Sequence, residues 1–159
     1  MFADMFGSTS EINIVLDEGA FAPTRAHDDD AGLDLYARED AVVPARGSAI
    51  FDTGVHVELP RVVVYNGVFA DRWRTARFIK SKSGLNIKHD IISDGTIDVG
   101  YTGSITVKLY NLGDKDYEEK RGDKISQLCI VPVLTPKPKI VDELQESERG
   151  TGGFGSTGR

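Results

Sequence analysis

The feature that most constrains this chain's fold is a two-residue alternation of apolar and polar side chains in short stretches. Val55, Val57 and Leu59 alternate with polar neighbours, and the same pattern recurs at residues 12–16 and 105–109. Because successive side chains of an extended chain point to opposite faces, each stretch predicts a half-buried strand. No long segment keeps the 3.6-residue apolar period of a helix, so we expect an all-β fold with one short helix at most.

Turn-forming residues separate these stretches, at 44–47, 52–54 and 111–114. Residues 122–134 predict a long, mostly buried strand, with an edge or a bulge at Pro132 because proline lacks the N–H that a ladder needs. Together the strands predict a sandwich or barrel. A chain of 159 residues with 40% hydrophobic residues fits one core, so we expect a single domain over residues 1–148.

The run Val62–Lys80 is the hardest segment to classify, since Trp73 lies among Arg72, Arg74 and Arg77. It is either a basic and aromatic contact surface or a pair of strands with a solvated face, and we favour the second interpretation.

The net charge and the cysteine count indicate which partners and which cellular compartment to expect. The net charge of −6 excludes a broad nucleic-acid footprint, which needs clustered cations. The lone Cys129 allows no intrachain disulfide and suits a reducing compartment. The chain has no apolar run long enough to cross a membrane, and residues 1–11 lack the features of a signal peptide. We therefore expect a cytoplasmic protein with no membrane partner.

Residues 149–159 form a glycine-rich tail with little to bury, so we expect them to be flexible on their own. Successive backbone N–H groups of such a tail can converge on an anion, the Ser156 and Thr157 hydroxyls add donors, and Arg149 supplies a planar charged fork. A Walker-type loop would need a helix after it. The tail therefore predicts a phosphate-binding lid over a site built elsewhere; the alternative is a flexible linker or tag remnant.

Four internal segments and this tail form an ordered set, at residues 31–37, 81–85, 95–103, 121–128 and 149–159. In order and type they resemble the five motifs of the trimeric deoxyuridine triphosphatases, the dUTPases, over about residues 31–159. The resemblance implies a jelly-roll, β-barrel-like subunit, and a homotrimer with shared active sites in which each tail reaches a neighbour's site. It also implies hydrolysis of dUTP to dUMP and pyrophosphate with Mg²⁺ as cofactor.

The third segment carries the residue expected to be catalytic. Asp98 follows Ile97 and so points to the opposite face of a strand or hairpin, where its carboxylate can deprotonate a water aimed at phosphorus. The resemblance assigns it that task; the alternative is a turn aspartate. Tyr101 resembles the family's sugar platform, against the alternative of an ordinary cross-strand tyrosine. The base is expected to be recognised by backbone groups of the hairpin, at Gly95 and Ile97.

The other segments are expected to bind the phosphates. The resemblance implies that Asp34 holds Mg²⁺ through water and that Ser83, the Gly84 N–H and the Gln127 amide contact the phosphate region. It implies that Phe154 stacks on the base, and that these tail residues contact substrate: Arg149, Phe154, Gly155, Ser156 and Thr157. Lys82 stands where the family usually has arginine, and a point charge instead of a bidentate fork predicts weaker activity.

Two rival functions remain open at this stage. A dCTP deaminase shares the fold, but its site centres on a glutamate where this chain has Asp98. A regulatory binding protein on the same scaffold would use nucleotide-dependent ordering of the tail, with residues 62–80 as its partner surface.

Overall fold

The structure, a computed structural model, describes residues 11–59, 73–148 and 150–151. Its strands are Asn13–Leu16 (β1), Gly32–Tyr36 (β2), Ala41–Val43 (β3), Ser48–Asp52 (β4), Val55–Glu58 (β5), Trp73–Lys80 (β6), Ile91–Ile92 (β7), Asp94–Ile97 (β8), Thr106–Asn111 (β9), Tyr117–Glu119 (β10) and Lys124–Leu134 (β11). One short helix, α1 (Ser83–His89), is present in this part of the chain. The all-β prediction is confirmed. No helix in the described ranges is long and apolar enough to cross a membrane.

The strands form four antiparallel sheets. The largest has the order β2-β11-β6-β8, a second has the order β4-β9-β7, and β1 pairs with β5 and β10 with β3. Neighbours in these sheets are mostly distant in sequence, as expected for a jelly roll built by strands crossing between sheets.

The period-two alternation predicted the core face of the strands correctly at most positions. In β9, Val107 and Leu109 are fully buried while Thr106 and Lys108 are exposed. Leu16 is the exception at 40% exposed, because β1 has a single partner strand among the described residues. The buried apolar residues form one cluster: Leu33, Leu35, Ala37, Val43, Phe51, Val55, Val57, Leu59, Ile79, Ile91, Ile105, Val107, Leu109, Ile125 and Leu128.

The long strand β11 joins the two halves of the largest sheet. It pairs with β2 as far as Cys129 and with β6 as far as Leu134. Pro132 lies in the stretch of β11 that pairs only with β6. Its missing N–H therefore removes no hydrogen bond to a second strand, and the predicted edge is confirmed. The pairing with β2 also shifts register between Lys124 and Ser126.

One strand of the pair predicted within residues 62–80 is present at 73–80, and residues 60–72 lie outside the described residues. The predicted solvated face is wrong for Arg77. Residues 73–80 form the single strand β6, which is hydrogen-bonded on both sides, to β11 and β8. Arg77 is 0% exposed. The cluster of arginines around Trp73 suggested that Arg77 faces solvent. However, β6 lies between two other strands and has one face in the core, and Arg77 lies on that face.

Helix α1 carries part of the second sequence segment and packs against β7. It buries no residue, and its C-cap is Asp90, which has a left-handed backbone conformation (φ 56°) and whose N–H donates to the Asn86 carbonyl at 3.1 Å. Lys88 and His89 in its last turn favour the negative end of the helix dipole. Lys82 occupies the N-cap position. Its ammonium group has no acceptor and cannot cap the helix N–H groups, and it pairs with Asp34 instead.

Candidate active site

Asp98 and Tyr101 lie on one turn, residues 98–101, which we call the Asp98 turn. The Tyr101 N–H donates to the Asp98 carbonyl at 3.1 Å and closes it. Asp98 is exposed while Ile97 is half-buried. Ile97, Asp98 and Tyr101 line one open cavity of about 270 Å³, which gives a carboxylate and an aromatic ring access to the same small molecule.

The connection that carries this turn is not the expected hairpin. β8 pairs with β6, whereas the following strand β9 pairs with β4 and β7 in another sheet. The Asp98 turn therefore crosses from one sheet to the next, and its strands do not hold it by pairing with each other. β8 is also the last strand of its sheet in the described ranges, which leaves one row of its backbone groups outside the ladder. Gly95 and Ile97 lie on this strand.

Arg77 holds the Asp98 turn from beneath. Its guanidinium donates to the Val57 carbonyl at 2.7 Å, to the Asp98 carbonyl at 2.5 Å and to the Tyr101 carbonyl at 2.6 Å. Burial lowers the pKa of Arg77, and the nearby Asp98 and Tyr101 act in the opposite direction. Sequence reasoning missed this residue; the only available signal was an arginine at a core-facing position between apolar residues.

A second group of side chains meets near β2, at the other end of the strand order β2-β11-β6-β8. We call Asp34, Lys82, Lys124 and Gln127 the Asp34 cluster. The Asp34 carboxylate accepts from Lys82 Nζ at 2.6 Å, from Lys124 Nζ at 2.7 Å and from the Gln127 amide at 3.5 Å. The structure thus brings together three of the predicted phosphate-side residues. It adds Lys124, which lies within the fourth segment but was assigned no role.

The Asp34 cluster is electrostatically coupled. Burial acts to raise the pKa of Asp34, but the hydrogen bonds and charges of Lys124 and Lys82 outweigh it, so the pKa lies below the usual value. The bond to Asp34 in turn raises the pKa of Lys124. Two ammonium groups facing one carboxylate leave a net positive charge, which favours an anion such as a polyphosphate.

Ser83 and Gly84 extend this cluster toward solvent. Both residues are exposed in the first turn of α1. A Cβ atom placed on Gly84 would meet no atom within 4 Å, and the N–H groups of a first helical turn have no intrahelical acceptor. The predicted pair therefore offers open backbone and hydroxyl donors beside Lys82.

Within one chain the Asp34 cluster and the Asp98 turn are far apart. Asp34 aligns with Gln127, Gln127 with Lys80, and Lys80 with Asp94 across the four strands. Three strand spacings of about 4.8 Å give about 14 Å, and the four residues from Asp94 to Asp98 add about 13 Å along the strand direction. The two groups are thus separated by roughly 20 Å over the sheet, more than the length of a triphosphate.

Several predicted contacts fall outside the described residues: Arg149, Phe154, Gly155, Ser156 and Thr157. Their placement against a substrate stays a prediction.

The residues around Asp34 fit a metal ion that is bound mainly by the phosphates of a substrate. In the described ranges no three His, Cys, Asp or Glu side chains are grouped to bind a metal ion. Asp34 is a single carboxylate whose oxygens face two lysines. Mg²⁺ keeps several waters and is commonly bound by one or two carboxylates plus substrate phosphates. Asp34 can serve such an ion through water.

Comparison with known proteins finds a family model that matches most of the chain. The dUTPase family model matches residues 19–158. The deoxyuridine 5'-triphosphate nucleotidohydrolase of Clostridium acetobutylicum is 42% identical over 146 residues, which cover 90% of this chain and 92% of that protein. The enzyme of the same name from Arabidopsis thaliana is 42% identical over 144 residues, covering 90% and 80% respectively.

Solved structures agree with this match. The dUTPase of Staphylococcus bacteriophage 80alpha with dUPNHPP has a TM-score of 0.77 and 30% identity, covering 95% of this chain and all (100%) of that chain. A variant dUTPase from phage phi11 of S. aureus, in which a structural Mg(II) ion is coordinated, has a TM-score of 0.70 and 27% identity over 84% of this chain and 97% of that chain.

Proposed function

This chain belongs to the dUTPase family and is a dUTP diphosphatase, and we propose that Asp98 activates the water that attacks its substrate. The observation that carries this proposal is the exposed Asp98 carboxylate sharing a cavity with the Tyr101 ring. Asp98 accepts a proton from water, and the water oxygen forms a bond to the α-phosphorus. The bond from the α-phosphorus to the oxygen that bridges to the β-phosphorus breaks. The products are dUMP and pyrophosphate.

Tyr101 and the outer strand β8 select the nucleoside. The Tyr101 ring, 49% exposed, offers a face for the deoxyribose, and its hydroxyl donates to the Ser104 carbonyl at 3.1 Å. That bond keeps the ring in one orientation, so the space left for a sugar substituent is constant. The unpaired backbone row of β8, the strand that carries Gly95 and Ile97, supplies donors and acceptors for the edge of the uracil.

The Asp34 cluster, with Ser83 and Gly84, binds the phosphates. Lys82 and Lys124 face the leaving pyrophosphate, and the Gln127 amide can turn from Asp34 toward a phosphate oxygen because its present bond is long, at 3.5 Å. Asp34 would hold Mg²⁺ through water, and the ion would supply positive charge that neutralises part of the triphosphate. The tail would close over the phosphates with Arg149, Ser156 and Thr157, and Phe154 would stack on the base.

Each complete site combines residues of more than one copy in a homotrimer. The separation between Asp98 and the Asp34 cluster within one chain supports this arrangement, since one triphosphate cannot contact both. If a neighbouring copy places its Asp98 turn next to this copy's Asp34 cluster, one triphosphate can contact both groups.

Replacement of Asp98 tests the assigned base. Asp98→Asn keeps the size of the side chain and removes its ability to accept a proton, so kcat should fall about 1000-fold or more while dUPNHPP binding stays within about threefold. Pyrophosphate release and analogue titration measure the two quantities. Turnover near the wild-type rate would reject Asp98 as the base.

Mixing the inactive Asp98→Asn variant with the weakened Lys82→Gln variant, assayed at dUTP concentrations well below KM, tests the shared site. An Asp98→Asn copy retains its Lys82, and a Lys82→Gln copy retains its Asp98. After unfolding and refolding together in equal amounts, about a quarter of the sites should be complete, so activity should return. An Asp98→Asn/Lys82→Gln double variant refolded with Asp98→Asn is the control. Mixtures no more active than their components would show that each site lies within one copy.

A second candidate role is nucleotide-controlled binding of a partner protein. The 80alpha phage dUTPase, 30% identical, is described as controlling transfer of virulence genes by a G protein-like mechanism. For this chain such a role would be additional to catalysis. Partner capture by Asp98→Asn with and without dUPNHPP separates the two roles, since a dependence on nucleotide would appear without turnover.

A further inference from the structure

Arg77 is a buried charge without a carboxylate partner in the described part of the chain. It is 0% exposed, its three hydrogen bonds go to backbone carbonyls, and its Nε has no acceptor. A buried cation is costly to desolvate, and an apolar side chain of similar volume often packs at such positions with no loss of stability. The contacts that offset this cost are therefore informative about what Arg77 does.

Two of the three acceptors are the first and last residues of the Asp98 turn. One nitrogen, Nη2, donates to both the Asp98 and the Tyr101 carbonyls, at 2.5 Å and 2.6 Å, while Nη1 donates to Val57 on β5. The guanidinium thus connects the ends of the turn to each other and to a core strand. Because the turn joins two different sheets, no strand ladder does this.

The next carbonyl along the chain is held in a similar way. His56, next to Val57 on β5, contacts the Thr102 carbonyl through Nδ1 at 2.9 Å. Charged or polar side chains of the core strands therefore bond three carbonyls between residues 98 and 102, whereas the Asp98 carboxylate and the face of the Tyr101 ring remain exposed. Fixing the backbone on one side leaves the reactive side chains free on the other.

We propose that Arg77 is a positioning residue that sets the backbone of the Asp98 turn, and through it the directions of the Asp98 carboxylate and the Tyr101 ring, without touching the substrate. This inference rests on the proposed roles of Asp98 and Tyr101. A lysine cannot replace it fully, because a single ammonium nitrogen lacks the planar fork that reaches Val57 and both ends of the turn at once.

Two substitutions and one stability control test the inference. Arg77→Met removes all three bonds, Arg77→Lys keeps the charge, and Val43→Ala removes core volume on β3, away from the turn. The variants are compared as full-length protein well below their melting temperatures, so that a general loss of stability is matched by Val43→Ala.

Arg77→Met should lower kcat about 100-fold, the effect of a shift of about 1 Å in a reacting group, and change KM less than about fivefold. Arg77→Lys should recover part of the activity, to about three- to tenfold below wild type. Val43→Ala should keep kcat within about twofold. Equal kcat for Arg77→Met and Val43→Ala would overturn the proposal, and if Arg77→Met does not fold, an Arg77→Lys variant as active as wild type would overturn it.

Hydrogen exchange separates this inference from the proposed function. The Tyr101 amide, which closes the Asp98 turn, should exchange at least about tenfold faster in Arg77→Met than in Val43→Ala, with no nucleotide present. If exchange changes as expected but Asp98→Asn remains active, the catalytic assignment is wrong and the positioning of the turn stands. Unchanged exchange at Tyr101 would overturn the positioning role whatever the activity.

Discussion

The Asp34 cluster and the Asp98 turn are built in opposite ways. In the cluster, charged side chains pair with one another, as Lys82 and Lys124 do with Asp34. At the turn, a buried cation bonds main-chain carbonyls and leaves the side chains of Asp98 and Tyr101 without such pairing. Side-chain ion pairs can exchange partners when a phosphate arrives, whereas a backbone held through three carbonyls is fixed in place. The comparison suggests that the phosphate contacts rearrange on binding and the reacting groups do not.

Removal of residues 149–159 should have the largest effect on the phosphate side. The tail is expected to order only over bound phosphates, so its loss removes several charge-assisted bonds of about 1.5 to 3 kcal/mol each. We expect kcat/KM for dUTP to fall about 100-fold or more, with an unchanged melting temperature because the tail has little to bury. Steady-state kinetics and thermal unfolding of the chain ending at Glu148 check both. Hydrolysis as fast as that of the intact chain would contradict the lid.

Substitution of Lys82 tests whether the Asp34 cluster mainly binds. Lys82→Gln removes one of two cations that face the leaving group, and we expect kcat/KM to fall about 30-fold, mostly through KM. Lys82→Arg restores the charge in a bidentate form and should match or exceed the wild type. A Lys82→Gln variant with normal KM and strongly reduced kcat would remove the distinction between the two regions.

Two glycines of the third segment test the orientation of Tyr101. A Cβ atom at Gly103 would overlap the Tyr101 phenol, whereas one at Gly100 would meet nothing within 4 Å. Gly103→Ala should therefore tilt the ring and raise KM about tenfold, and Gly100→Ala should change it less than about twofold. Similar KM values for both variants would show that the ring position does not govern binding.

Glu119 offers a control outside both regions. It is 1% exposed, and burial, with a contribution from Asp123, raises its pKa to about 7. A folded pKa above the unfolded value means that protonated Glu119 is favoured in the fold, so its stabilising contribution is full below the unfolded pKa and is lost as pH rises through about 7. Glu119→Gln does not titrate and should not lose this stability.

The expected result for Glu119→Gln is a stability gain over wild type that grows by about 2 to 3 kcal/mol between about pH 5 and about pH 8.5, with kcat unchanged. Urea unfolding at one fixed protein concentration measures the gain. A gain independent of pH would show that Glu119 does not titrate in this range. A loss of kcat would show that the core around β10 affects catalysis.

The elements that local pattern controls were predictable. The alternation at 55–59 and 105–109 placed Val57, Val107 and Leu109 in the core, because side-chain direction in a strand follows from the two-residue period alone. The role of Pro132 followed from its missing N–H. Arg77 was not predictable in the same way, since its environment is set by β11, β8 and the carbonyl of Val57, none of which is near it in sequence.

The phosphate-side residues show the same limit. Lys82 and Gln127 were identified from their segments, but Lys124 was not, because its contact with Asp34 arises from the pairing of β11 with β2 across about ninety residues. The expected hairpin at Asp98 failed for a related reason: whether two successive strands pair or enter different sheets depends on which partners compete for them.

The sequence by itself determined the strand class, the family and the candidates for the reacting residues, because these depend on residue type, local period and the order of short segments. The tertiary structure decided which side chains meet: it buried Arg77 under the Asp98 turn, paired Lys124 with Asp34, and separated Asp98 from the Asp34 cluster by the width of a sheet. The physical reason is that hydrogen bonds and ion pairs act over a few ångströms in space, and only the folded arrangement of strands sets those distances.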